Sequence, residues 1–153
     1  MAKQDPGAAV AALCEALPEV EAVRKHGAPA WKACGRHFAV YSLNHHGDGH
    51  VGLLLRVPSG MQQQLVETDA SAYYVPAYYG PSGWVGVELN GPVAWADVIA
   101  LTVEAWRAVV PASVAQGLER SPPIAAPRKL EPEEIDPFLG ECGSRLLEGL
   151  RKV

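Results

Sequence analysis

The sequence is poor in cysteine: Cys14, Cys34 and Cys142 stand far apart, with no C-x-x-C pair. Neither a disulfide framework nor a cysteine-ligated zinc site is expected, and a reducing compartment fits. Long apolar runs are missing too. Nothing approaches the ~20 residues that span a bilayer, and residues 1–10 lack the basic-then-apolar order of a signal peptide. The expectation is a cytoplasmic chain with no membrane association. Catalytic signatures are equally absent: there is no G-x-x-x-x-G-K-[ST], no G-x-G-x-x-G after a strand and no G-x-S-x-G. Phosphate-cradling loops and a nucleophile elbow are thereby excluded. His26 and His37 are residues of the type that serves as a general base, but no nucleophile or orienting acid stands in a recognisable pattern with either. Glu88, within an expected strand, has no evident mate. A non-enzymatic protein without metal or cofactor is the expectation.

Charge is scarce and uneven. Charged residues make up 20% of 153, with a formal net charge of −4, which argues against a protein that coats nucleic acid indiscriminately. Positive charge gathers in residues 22–60, where Arg24, Lys25, Lys32, Arg36 and Arg56 stand against Asp48 alone. The stretches on either side, 1–21 and 61–110, are acidic. Such a basic run is either a solvated strand face or a set of local phosphate contacts.

Apolar residues are plentiful at 48%, enough for a core in a chain of single-domain length. An alanine-rich helix is expected over 8–17, stopped by Pro18, with a second helical turn over 19–25 closed by His26-Gly27. The period then becomes two. Short strands are expected at 30–33, 36–43 (Phe38 and Val40 on one face, His37 on the other) and 51–57, joined as an antiparallel meander. A short helix at 61–67, an extended aromatic segment at 73–79 and a strand at 84–89 follow. The clearest helix is 94–110, with Trp95, Val98, Ile99, Thr102, Trp106 and Val109 on one stripe. This order predicts an α+β fold, with helices packed on one face of an antiparallel sheet.

Two clusters stand out. His45, His46, Asp48 and His50 fall within six residues, but Gly47 and Asp48-Gly49 are turn makers and adjacent extended side chains diverge. A solvent-exposed hairpin tip without metal is expected. Residues 73–84 hold five aromatic rings in twelve positions. These rings suit a half-buried core edge, and beside a basic strand they suit base stacking.

Past residue 112 prolines dominate, at 122, 123, 127, 132 and 137. Phe138, Cys142, Leu146 and Leu150 then repeat every four residues, which predicts a tethered amphipathic helix. That helix is expected to dock on its own domain or a second copy, making the chain a monomer or a homodimer through it. The division is residues 1–112 as an α/β domain and 113–153 as proline-rich linker and C-terminal helix.

Gly27-Ala28-Pro29-Ala30-Trp31, followed by Gly35-Arg36-His37-Phe38-Ala39, resembles the first signature of the MmcQ/YjbR family. Tyr78-Tyr79-Gly80-Pro81-Ser82-Gly83-Trp84-Val85 resembles its second, a glycine loop ending in Gly-Trp-Val. Trp31 stands where the family has phenylalanine and Arg36 where it has lysine, each preserving chemical type. The resemblance covers residues 8–112 and implies a two-layer sandwich. It also implies DNA binding by a double wing of hairpins, without enzymatic activity. Two functions are thus expected in competition. One is weak, salt-dependent DNA binding through Arg24, Lys25, Lys32, Arg36 and Arg56. The other is a protein-interaction or small-ligand module built on Trp31, Tyr78, Tyr79 and Trp84 together with the C-terminal helix.

Overall fold

The structure, a computed structural model, describes residues 3–136; the amphipathic helix expected at 138–150, and any pairing of copies through it, lies outside them. Asp5 caps the first helix, accepting a hydrogen bond from Ala8 N at 2.8 Å, and Pro6 fills the first turn, where its missing N–H costs nothing. That helix is α1 (Pro6–Glu15). Six strands follow in one antiparallel sheet: β1 (Val20–Lys25), β2 (Ala28–Ala33), β3 (Arg36–Leu43), β4 (Val51–Leu55), β5 (Tyr73–Tyr74) and β6 (Val85–Glu88). Their spatial order is β1-β2-β3-β4-β6-β5. Helix α2 (Met61–Thr68) bridges β4 and β5, α3 (Trp95–Arg107) follows β6, and α4 (Ala112–Gln116) and α5 (Pro132–Ile135) are short turns beyond it.

The first three strands are set by two-residue turns. His26 and Gly27 (φ 52° and 80°), and Cys34 and Gly35 (φ 52° and 80°), both adopt positive φ. These are the type I′ turns whose twist matches that of paired strands, and a glycine at the second position removes the steric cost there.

Helices α1 and α3 cover one face of the sheet. Phe38, Leu53, Leu55, Val85 and Val87 meet Val10, Val98 and Trp106, each fully buried. Trp106 fills the centre, and its indole N–H donates to Pro18 O at 2.8 Å. The proline-rich segment is a strap on this same core. Leu130 is buried in it, Asn90 holds the Leu130 backbone by two hydrogen bonds (3.0 and 2.7 Å), and Trp95 Nε1 donates to Ile124 O at 2.8 Å.

Three local expectations are corrected. Residues 20–25 form the edge strand β1, not a helical turn, because all six pair with β2, from Val20↔Ala33 to Lys25↔Ala28; the ladder outweighs the helix propensity of Glu and Ala. Phe38 and Val40 face opposite sides: Trp31 pairs with Ala39 and Lys32 with His37, so Phe38 is the extra residue of a β-bulge and joins the helix-side core. The extended segment is only Tyr73–Tyr74, since Gly80 N bonds back to Pro76 O and closes a turn.

Candidate functional site

Among the described residues no helix packs on the other face of the sheet, which is covered by its own side chains. Ala30, Val40, Leu54 and Trp84 are buried there, flanked by Val23, Ala28, Tyr74 and Tyr79. Tyr74 does most of the covering. Its ring lies flat over Gly86, and its hydroxyl reaches Gly52; a Cβ at either glycine would overlap it. His50 stacks on the outer side of that ring at 3.8 Å, 5° from parallel. Glu88 fixes the histidine, with Oε1 2.9 Å from His50 Nδ1, while Oε2 accepts from the N–H groups of Val51 and Asn90. His50 is therefore the mate of Glu88 that the sequence does not reveal, thirty-eight residues away. Burial pushes the Tyr74 phenol well above its ordinary pKa, and the Asp48 and Glu88 carboxylates push the same way.

Beside this layer the surface sinks into a groove of about 600 Å³. Its walls are the β1–β2 turn, loop 44–50 and loop 76–82, with Val40 and Leu54 on its floor and Lys25, Tyr78 and Tyr79 at its sides. Helix α2 anchors the third wall, since Gln62 Nε2 donates to both Gly80 O (2.9 Å) and Trp84 O (2.6 Å). Lys25 Nζ sits 5.2 Å from the centre of the Tyr79 ring, and the Arg56 guanidinium carbon 5.3 Å from that of Trp84. Tyr79 and Trp84 are themselves in contact at 4.9 Å. Each cation thus rests on an aromatic face, which attracts it through the ring quadrupole.

The residues singled out in the sequence divide between sites. Lys25, Lys32 and Arg56 lie on the helix-free side, and Arg36 is exposed at the end of the sheet. Lys32 faces Glu21 across the ladder at 3.8 Å, an exposed pair of little strength. Arg24 does not join them: it donates to Gly27 O at 2.6 Å and, with Trp31, lines a separate cleft against Ala11 and Glu15 of α1. Trp31 belongs to the helix-side core, its indole N–H donating to Glu15 Oε2 at 3.2 Å. Of the four aromatics, Tyr78 and Tyr79 line the groove, while Trp84 is buried beneath Arg56 and Tyr79. Composition did not single out Tyr74 or His26 for this groove. Loop 44–50 curls into it as well, with His45, His46 and Asp48 on the wall. Among the described residues, no three His, Cys, Asp or Glu side chains converge as metal ligands.

Positive charge is crowded on this side. His37 is held below its ordinary pKa by burial first and then by Lys25, Lys32 and Arg56; Arg56 is lowered by burial and by Arg36. Cations that penalise one another are a field that an anion would relieve. The arrangement can hold a planar ring against aromatic walls with an anionic group beside it.

The chain matches the family model described as YjbR over residues 15–108. Its fold is similar to that in the crystal structure of Deinococcus radiodurans protein DR2400, whose family-model domain is DUF419. The TM-score is 0.62 at 16% identity, over 78% of this chain and 96% of that one. No curated protein matches the chain. Among the described residues, no helix is long and apolar enough to cross a membrane.

Proposed function

The chain belongs to the YjbR family, and from that premise we propose that it is a non-enzymatic binding module that takes nucleic acid, DNA in the first instance, on the helix-free face of its sheet. One observation carries the reading: two cations, Lys25 and Arg56, rest on two touching rings, Tyr79 and Trp84, with the groove beside them. With the exposed Tyr78 ring at the same groove, this supplies the aromatic surface and positive rim that base stacking and phosphate contact require. The overall charge of −4 limits the footprint to this face, so few phosphates are neutralised and binding is weak at physiological salt. A small-ligand reading is favoured by one different feature, the apolar floor of Val40 and Leu54.

Fluorescence anisotropy of labelled DNA, titrated at low and at physiological salt, tests the proposal. Changing Lys25, Lys32 and Arg36 together to glutamine should weaken binding for every sequence. The log-log salt slope should fall by about two if the strand is single, at roughly 0.7 per lost phosphate contact, and by nearly three if it is duplex. A parent protein that binds no DNA at low salt rejects the proposal and leaves the small-ligand reading.

A further inference from the structure

We propose that the groove is a pocket for one unpaired base, so that the nucleic acid it takes is single-stranded and not duplex; this rests on the reading above. The shape argues first. The recess is walled by loops from three places in the chain and, at about 600 Å³, lies in the roughly 300–1,000 Å³ range of sites that engulf a small molecule. A duplex presents base edges in its grooves and keeps ring faces stacked inside, so only an unpaired base can enter a recess with aromatic walls. The lining argues next. Tyr78 and Tyr79 line its sides, Val40 and Leu54 give an apolar floor, and Lys25 stands at the mouth for the adjoining phosphate.

Tyr78 is the most specific sign. It is 74% exposed, the most exposed of the large hydrophobic side chains among the described residues, and its backbone sits at φ 66°. A bulky side chain is strained in that left-handed region, where glycine and asparagine are at ease. Little packing offsets the strain: the hydroxyl is 3.4 Å from His46 Nε2, and the rings of His45 and His46 stand edge-on to it at 5.8 and 6.0 Å. The loop thus holds an aromatic face out into solvent at the groove mouth, in position to stack on the base next to the one inside.

The full chain is titrated with a short fluorescein-labelled DNA of mixed sequence, as a single strand and as its blunt duplex, at one low salt concentration. The single strand should bind at least ten-fold more tightly. Tyr78→Gly should weaken single-strand binding by about five-fold or more without lowering the melting temperature, since glycine accepts φ 66° freely. Tyr78→Asn, also at ease there, should give the same loss and guards against a loop effect peculiar to glycine. Duplex binding as tight as single-strand binding, or single-strand affinity unchanged in both variants, overturns the base pocket and leaves the nucleic-acid reading standing. No binding of either probe by the parent protein overturns both.

Discussion

Leu53 and Leu54 are neighbours on β4, yet they belong to two different kinds of surface. Leu53 points into the core under α1 and α3 and is fully buried among large residues such as Phe38 and Trp106. Leu54 points the other way, into a layer one side chain deep, whose neighbours across the ladder are Val40 and Gly86. The helix-covered face is closed by interdigitated side chains. The other is closed only where Tyr74, Tyr79 and Trp84 lie down on it, and it opens where they stop. One face supplies stability, and the thinner one is free to be shaped for a ligand.

The largest effects should break this comparison at its centre. Leu53→Ala should cost about 2–5 kcal/mol, the usual range for a leucine removed from a packed core, and leave DNA affinity unaltered at temperatures where the variant is folded. Leu54→Ala should cost less, near the bottom of that range, because the thin layer can settle into the space, but it should weaken binding by removing the groove floor. Denaturant melts paired with anisotropy titrations check both; equal stability losses with equal affinities would erase the distinction between faces.

Next in size is the glycine under the tyrosine. Gly86→Ala puts a methyl group where the Tyr74 ring lies, and overpacking of that kind costs about 1–3 kcal/mol. In a Tyr74→Ala background the same change should cost little. A double-mutant cycle measures the coupling, and an additive result would show that the ring does not depend on the bare backbone beneath it.

This contrast also marks how far the sequence could be read. Strands β2, β3, β4 and β6 and helix α3 were legible because each carries its own period over several residues. Strand β1 was not, because its evidence is the partner β2 and not its own pattern. The bulge at Phe38 was invisible for the same reason: a one-residue slip is a property of the pair, and it moves every preceding side chain to the other face. The site was legible in composition but not in assembly. Five basic residues and a run of aromatics were plain, but nothing local says that Arg24 and Trp31 lie on the wrong side for the groove. Nor does anything local say that His50 and Glu88 meet. The strap shows the same limit, since prolines predict a linker and do not tell that Leu130 ends in the core.

The strap offers a third, smaller test. Asn90→Ala removes both hydrogen bonds to the Leu130 backbone and should cost about 1–3 kcal/mol, mostly through the part-buried N–H left unpaired. Deleting everything after residue 112 should lower the melting temperature further, because it also strips Trp95 Nε1 of its acceptor and empties the place of Leu130. A truncated chain that melts with the full one would make residues 113–136 a passive extension.

The smallest effect belongs to His37, and it tests the charge of the thin face. Burial and the cations Lys25, Lys32 and Arg56 lower its pKa from the ordinary 6.5. Between the folded and unfolded values the unfolded chain binds more protons, so stability rises with pH through that window. The contribution is complete above about 6.5 and is lost as pH falls through the lowered value. His37→Gln should remove this part of the pH dependence of the melting temperature and leave the rest. Nucleic acid should act in the opposite direction. Burial is the larger cause of the lowering and persists on binding. A phosphate beside Lys25, Lys32 and Arg56 nevertheless relieves the part those cations impose, so the His37 pKa should rise and a proton should be taken up. Affinity for DNA should therefore rise as pH falls below about 6.5, and His37→Gln should flatten that rise. A parent protein whose affinity is flat over this range would mean that the bound anion does not lie among these three cations.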